Sequence, residues 1–186
     1  MTRRLIQLYV GLAVFGWSEA LLVEAHLGVL PWDVLHQGLA LHVGLTIGIW
    51  SVIVAFVVLL LWIPLGERPG LGTISNALVI GPFIDASLVL MPTPDAWWVR
   101  AAYVAVAIVV NALATALYIG ARFGPGPRDG LMTGFVRRTG GSVRVVRTCI
   151  EVVVVITGWL LGGTLGVATL IFVVSIGPLV HWFLPL

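Results

Sequence analysis

The sequence contains no lysine and a single cysteine, and charged residues make up only 10% of its 186 positions. A soluble domain carries about 25% charged residues, so this chain has too little polar surface to cover itself in water. Hydrophobic residues make up 60% of the chain, and a lipid bilayer is the natural solvent for such a composition. The lone cysteine, Cys149, excludes a disulfide within the chain.

Motifs that would signal an enzyme, a metal centre or a nucleotide site are missing as well. The sequence has no Walker A, GxSxG, HExxH, CxxC or Rossmann pattern. Its four histidines and one cysteine lack the spacing of metal ligands. We therefore predict a protein that is not an enzyme and that holds no metal and no cofactor. The net charge of +2 comes from arginines at expected membrane edges, so nucleic acid is not an expected partner.

Long apolar runs fill most of the chain. A transmembrane helix needs about 20 apolar residues, and six segments meet that requirement. They cover residues 5–23, 43–63, 71–91, 97–119, 143–163 and 164–183. Two other stretches, 31–42 and 127–139, are too short and polar to cross, and they are typical of interfacial or re-entrant half-helices. The predicted fold class is an all-α integral membrane protein, a single domain over residues 1–186.

The placement of arginine predicts the orientation of these spans. If the N-terminus is cytoplasmic, nine of the ten arginines fall in cytoplasmic segments and only Arg100 falls outside. This asymmetry follows the positive-inside rule, so both termini are expected in the cytoplasm. Four tryptophans lie near the expected interfaces, as in an aromatic belt. They are Trp32, Trp97, Trp98 and Trp182.

The chain also contains an internal repeat with a period of 96 residues. When the sequence is aligned with itself at this offset, without a gap, several glycines, prolines and aspartates coincide in order. Pro31 aligns with Pro127 and Asp33 with Asp129. The two copies cover about 5–91 and 97–186. Each copy holds three expected spans, and because three is odd the second copy enters the membrane from the opposite side. This pattern predicts a 3+3 inverted repeat, an architecture common among secondary transporters.

Matching Gly-Pro pairs occur near the middle of the third and sixth expected spans. They are Gly81-Pro82 and Gly177-Pro178. Proline removes a backbone donor and glycine lowers the cost of bending, so paired interruptions in matching segments point to a midplane site. The same pairs are equally compatible with simple packing kinks.

Several ionisable residues fall inside the expected spans. Glu151 lies in a run rich in valine and isoleucine, four residues after Arg147. One interpretation is an Arg147–Glu151 bridge within the helix, and the other is a coupling or substrate site facing a cavity. The same alternatives apply to Glu19, while Asp85 is a candidate by default because a carboxylate in hydrocarbon is costly. Asn76 is either a candidate ligand or a helix–helix hydrogen-bonding residue.

The first turns of the two short helices carry further candidates. Asp33 and Asp129 follow Pro31 and Pro127 by two positions, where a carboxylate either complements a helix N-terminus or forms a gate at the half-helix tip. Arg128 is expected to attract anions at the inner mouth.

Several longer motifs are similar to a known family. PWDVLHQGL, GLGTISNALVIGPFIDASL, GPRDGLMTG and GWLLGGTLG resemble the YczE/YitT group of bacterial multi-pass membrane proteins, most closely its YczE-like branch. The similarity runs from about Gly11 to Pro178. It implies a bacterial plasma-membrane location, and it carries over no activity and no catalytic residues.

These patterns favour a small secondary transporter or exporter of an unidentified solute, with the bilayer and that solute as partners. Whether the protein forms a homo-oligomer stays open. The alternative is a membrane scaffold or regulator of a partner protein, in which Arg137 and Arg138 form a cytoplasmic docking surface. The two hypotheses differ in one observable, which is a polar cavity reaching Glu151 and Asp85 between the halves.

Overall fold

Glycine and proline separate the apolar runs into helices. A computed structural model describes residues 1–184, so the last two residues of the predicted second repeat lie outside it. Within the described residues there is no strand, and all regular structure is helical. The helices are α1 Thr2–Ala25, α2 Pro31–Val43, α3 Ile47–Leu65, α4 Leu71–Leu90, α5 Trp97–Gly120, α6 Pro127–Thr139, α7 Val143–Leu160 and α8 Val167–Phe183.

The predicted span over 43–63 begins too early, because residue 43 belongs to α2 rather than to α3. Gly44 adopts a left-handed backbone with φ of 77° and ends α2. Thr46 then starts α3, where its side chain accepts a hydrogen bond from the Ile49 N–H at 3.2 Å. The last predicted span starts early in the same way, because Gly166 precedes the first turn of α8.

The backbone keeps the 96-residue correspondence of the sequence in its unusual conformations. Glycines with positive φ occur in three pairs at this spacing, Gly28 with Gly124, Gly44 with Gly140 and Gly66 with Gly162. The two non-glycine residues with positive φ among the described residues, His26 at 53° and Arg122 at 57°, share the spacing. Equivalent turns of the two halves therefore have equivalent geometry.

Two backbone hydrogen bonds join the halves in a crossed arrangement. The Ala168 N–H at the start of α8 donates to the Leu27 carbonyl in the α1–α2 loop at 2.9 Å. In the equivalent place, the Gly72 N–H of α4 donates to the Phe123 carbonyl in the α5–α6 loop at 2.8 Å. Each connecting loop thus supports the last long helix of the opposite half.

The two halves also contact each other through their short helices. Each short helix crosses a long helix of the other half. Gly158 of α7 lies against the backbone of Val34 in α2, where a side chain would not fit. At the equivalent crossing Gly130 of α6 lies under the ring of Trp62 in α3, whose Nε1 donates to the Pro127 carbonyl at 3.0 Å. Helices α1 and α5 pack along each other at the centre.

Within residues 1–184, four helices are long and apolar enough to cross a membrane, namely α1, α3, α4 and α5. Helix α8 is apolar but has 17 residues, and α7 carries Arg144, Arg147 and Glu151 in its first half. The structure therefore agrees with a helical membrane protein, and six crossings stay a prediction. Large apolar side chains on the outer surface are typical of helices that face lipid, such as Leu60, Val153, Leu170 and Val174.

Candidate functional site

A cavity of about 320 Å³ separates α7 from α8 and reaches the tips of both short helices. Its polar lining comes from five helices, α4 to α8. Those residues are Asn76, Asn111, Thr115, Tyr118, Arg128, Asp129, Arg147, Glu151 and His181. Apolar side chains, including Phe15, Trp32 and Phe172, form the remaining walls. A polar cavity with apolar walls is the common form of a small-molecule site.

Arg128 in the first turn of α6 is one of two arginines that line the cavity. Its guanidinium lies over the ring of Trp32, with Cζ 5.1 Å from the ring centroid. Its Nη1 lies 3.6 Å from Oε1 of Glu19, and its side chain is 26% exposed. Arg128 makes no side-chain hydrogen bond to another residue of the described part of the chain. Its ion pair with Glu19 is thus longer than a hydrogen bond, and a ligand acceptor that comes closer would replace that contact.

Glu19 of α1 is fully buried behind Arg128. Neither of its carboxylate oxygens has a hydrogen-bond partner among the described residues. Asp33 of α2, also fully buried, lies close enough to interact with it electrostatically. Glu19 is thus paired with Arg128 and lies near a second buried carboxylate, and a buried carboxylate that lacks hydrogen bonds must be paired or protonated.

His36 completes this buried group from the next turn of α2. Its Nδ1 is hydrogen-bonded to Oδ1 of Asp33 at 2.9 Å, and its Nε2 has no partner. Burial lowers the pKa of the His36 imidazole from its ordinary value, although the hydrogen bond to Asp33 acts in the opposite direction. The cluster therefore contains two side-chain pairs, His36 with Asp33 and Arg128 with Glu19.

Arg147 and Glu151 form the bridge that one interpretation predicted and also lie at the cavity, while a coupling or substrate role stays a prediction. Arg147 Nε donates to Glu151 Oε1 at 2.8 Å within α7, which is the predicted intrahelical bridge. Both side chains also line the cavity. Asp129 is similarly partnered, because it accepts a hydrogen bond of 2.7 Å from the Tyr118 hydroxyl. Asn76 lines the wall between them.

Asp85 does not line the cavity. Its Oδ2 accepts a hydrogen bond of 2.5 Å from the Thr46 hydroxyl, and its Oδ1 accepts one of 2.9 Å from the Gly48 N–H. The carboxylate therefore satisfies the first turn of α3 and joins α3 to α4. The sequence identified it as a candidate because it is ionisable, whereas its partners give it a local structural role.

The two Gly-Pro pairs lie in continuous helices. Helix α4 runs through Pro82 and α8 runs through Pro178 without interruption. Gly81 packs against the Gly48 carbonyl so closely that a side chain would overlap it. Gly177 occupies the equivalent position in α8, and nothing lies within 4 Å of where its Cβ would be. The paired positions thus have opposite surroundings, one packed and one open.

Sequence reasoning missed the role of Trp32, which was expected at a membrane interface. The structure buries its ring under Arg128 in the centre of the protein. The sequence did contain a signal, because positions 32 and 128 are 96 residues apart and hence equivalent in the two halves. Tyr118 and Thr115 were also missed, and nothing in their local sequence distinguishes them from packing residues.

The helices, the cavity and the buried charges describe a helical membrane protein with a central polar site. The chain belongs to a family of unknown function, DUF6198, whose model matches residues 2–185. An uncharacterized protein of Haemophilus influenzae is 39% identical over 177 residues, which cover 95% of this chain and 81% of that protein. The uncharacterized membrane protein YczE of Bacillus subtilis is 30% identical over 179 residues, or 95% and 83% of the two chains.

A second Bacillus subtilis relative, the uncharacterized protein YyaS, is 25% identical over 181 residues, which cover 95% of this chain and 90% of that protein. No solved structure matches the chain. The predicted resemblance to the YczE-like branch is confirmed.

Proposed function

We propose that the protein is a secondary transporter of a small solute in the bacterial plasma membrane, with six spans arranged as a 3+3 inverted repeat. One observation carries the proposal: of two equivalent helix pairs, one is closely packed and the other is separated by the cavity. Helices α3 and α4 pack closely, while α7 and α8 make at most marginal contact and border the cavity. An inverted repeat whose halves differ in this way is the expected form of an alternating-access carrier.

A hydrogen bond joins α3 to α4, and the residues at the equivalent positions of α7 and α8 do not form that bond. Thr46 and Asp85 are hydrogen-bonded, and their equivalents are Ser142 and His181. Ser142 precedes the first turn of α7 as Thr46 precedes that of α3. His181 faces the cavity instead of contacting α7. Two hydrogen-bonding side chains are therefore available to close the α7–α8 pair when the halves exchange conformations.

The predicted orientation places the cavity on the cytoplasmic side. The cavity lining includes the start of α7 and the end of α8, at Arg147 and His181. In the arginine-based topology both of these helix ends face the cytoplasm, and the closed contact of Asp85 faces outside. The structure is then an inward-open state, and transport requires α7 to close on α8 while α3 separates from α4.

The scaffold hypothesis receives less support. Arg137 donates to the Leu65 carbonyl at 3.0 Å and pairs with Glu67, and Arg138 donates to the Pro64 carbonyl at 2.6 Å. Both arginines therefore join α6 to the end of α3. These contacts give both arginines a role in joining two helices of the protein, although their side chains stay exposed.

Disulfide trapping tests the exchange without knowledge of the solute. In a Cys149→Ser background, the pair Thr46→Cys with Asp85→Cys reports the observed closed contact. The pair Ser142→Cys with His181→Cys reports the equivalent contact in the other state. We expect both pairs to cross-link in native membranes under mild oxidation, the first rapidly and the second as the minor state is visited.

A protein that carries both cysteine pairs tests whether the two contacts exclude each other. If the two contacts alternate, each molecule forms one disulfide and excludes the other, so doubly cross-linked protein stays rare. Cross-linking of the first pair alone, with no bond between positions 142 and 181 at any oxidation time, would show a static molecule. Efficient formation of both bonds in one molecule would equally contradict alternation.

A further inference from the structure

Resting on the proposed function, we infer that the cavity binds a carboxylate solute with an apolar body, anchored by Arg128 and accompanied by one proton on Glu19. The inference concerns a cluster of side chains drawn from three helices. Glu19 comes from α1, Trp32 and Asp33 from α2, and Arg128 from α6. The halves of the protein meet at this cluster.

Arg128 has the geometry of a carboxylate receptor. A guanidinium presents donors in a planar fork that matches the two oxygens of a carboxylate. The ring of Trp32 fixes one face of this fork, and its donors have no hydrogen-bond partner in the described protein. Gly126 and Pro31 also line the cavity, so the first turns of α6 and α2 both begin at its wall. Helix N-termini favour an anion at that place.

The apolar part of the lining defines the rest of the solute. Apolar parts of the wall are formed by Phe15, Phe172, Ile176 and Val180. These side chains offer surface to a hydrocarbon chain or an aromatic ring and have no group to hydrogen-bond a strongly polar body. A cavity of about 320 Å³ is at the small end of ligand sites, which favours a compact organic acid.

The remaining acidic residues of the cavity argue against a cationic solute. Glu151 is already bridged to Arg147 within α7. Asp129 accepts a hydrogen bond from the Tyr118 hydroxyl. Glu19 is buried behind Arg128 and is absent from the cavity lining. Of the arginines and carboxylates that line the cavity, Arg128 is the one without a hydrogen-bonded side-chain partner among the described residues, and its paired carboxylate, on Glu19, lies 3.6 Å away.

Charge balance supplies the proton. In the empty site the Glu19 carboxylate is the counter-ion of Arg128 at 3.6 Å. When the carboxylate of the solute forms an ion pair with Arg128, Glu19 remains buried beside Asp33 without a cation. An unpaired carboxylate is costly in free energy in a low-dielectric interior. Glu19 therefore binds a proton from solution. The step is an Arg128⁺/Glu19–COO⁻ pair plus H⁺ plus R–COO⁻ giving Glu19–COOH and an Arg128⁺/R–COO⁻ pair, so the net charge is the same on both sides.

The first test compares acids with neutral isosteres. Purified protein in detergent is heated with hexanoate, benzoate or phenylacetate, and in parallel with hexanamide, benzamide, phenylacetamide or hexylammonium. A ligand that binds only the folded state raises the Tm. We expect at least one carboxylate to raise it and its amide and the ammonium to have little effect. If no carboxylate stabilises the protein, or if the ammonium does so better, the inference is wrong.

Variants of two arginines in α6 locate the effect. Arg128→Gln should weaken carboxylate binding by roughly ten- to a hundredfold, as expected for loss of charge-assisted hydrogen bonds. Arg128→Lys should have an intermediate effect because it keeps the charge but loses the planar fork. Arg138→Gln is the matched control, since Arg138 lies outside the cavity lining. Equal loss in the two glutamine variants would exclude a specific anchor.

Proton uptake on binding tests the role of Glu19. Above the pH at which Glu19 is ionised in the empty site, the Kd of the carboxylate should rise by about tenfold per pH unit, because one proton is bound with each ligand. Calorimetry in buffers of different ionisation enthalpy should report uptake close to one proton. Glu19→Gln should bind the carboxylate without proton uptake and without this pH dependence.

Glu24→Gln is the control in the same helix, because Glu24 accepts a hydrogen bond from Thr93 outside the cavity. It should keep both the uptake and the pH dependence. Uptake that persists in Glu19→Gln would assign the proton elsewhere and overturn this part of the inference. Alternating disulfides without carboxylate binding would refute the solute class alone, while binding without alternation would refute transport alone.

Discussion

The guanidinium of Arg128 lies over the indole ring of Trp32, and the two residues occupy equivalent positions in the two halves of the chain. The first turns of α2 and α6 therefore meet at the centre of the molecule. The pairing of unlike residues at equivalent positions makes the site asymmetric, although the backbone around it is nearly repeated. The proposed binding site thus lies where the sequences of the two copies differ.

Substitution of the paired glycines should have opposite consequences. A Cβ at Gly81 would overlap the Gly48 carbonyl, whereas a Cβ at Gly177 would meet open space. Gly81→Ala should destabilise the protein by about 1 to 3 kcal/mol, as overpacking does, and Gly177→Ala should change the free energy of unfolding by less than about 0.5 kcal/mol. Thermal unfolding in detergent measures both. Equal effects would show that α4 and α8 have similar surroundings.

Asp85 should contribute to stability by holding the first turn of α3. Asp85→Asn weakens charge-assisted hydrogen bonds from the Thr46 hydroxyl and the Gly48 N–H. A loss of about 1 to 2 kcal/mol is expected, as for other helix N-terminal partners. Asp95→Asn, at an exposed position between α4 and α5, is the control and should be neutral. A neutral Asp85→Asn would remove the structural role assigned here.

Cysteine labelling should distinguish the two sides of the protein. Val180 lines the cavity, and its counterpart Ile84 is fully buried. In a Cys149→Ser background, Val180→Cys should react with a membrane-impermeant maleimide in inside-out vesicles, and Ile84→Cys should be protected from both sides. Labelling of position 180 only in right-side-out vesicles would reverse the orientation derived from the arginines.

Much of the fold could be predicted from the sequence because its determinants are local. Apolar run length and Gly and Pro positions gave helices close to the observed ones, including the short helices α2 and α6. The repeat required only the comparison of the sequence with itself. The error at residue 43 arose because a short polar helix and the next span are separated by only a brief turn at Gly44.

The site was harder to predict, because it depends on contacts between residues far apart in the chain. Glu19 and Arg128 were each identified as candidates, yet their pairing follows from packing that brings α1 beside α6. Asp85 and Glu151 were both candidate site residues because each is a carboxylate within an expected span. Only their partners separate them, since one satisfies a helix N-terminus and the other faces the cavity.

Paired spin labels measure the exchange between the halves most directly. Labels at Ile49 and Ala86 report the α3–α4 separation, and labels at their counterparts Val145 and Trp182 report the α7–α8 separation. All four positions are exposed. The two distances are measured by double electron–electron resonance before and after the α7–α8 pair is closed by a disulfide between positions 142 and 181. The account predicts that closing α7 on α8 lengthens the distance between positions 49 and 86, and an unchanged distance would contradict it.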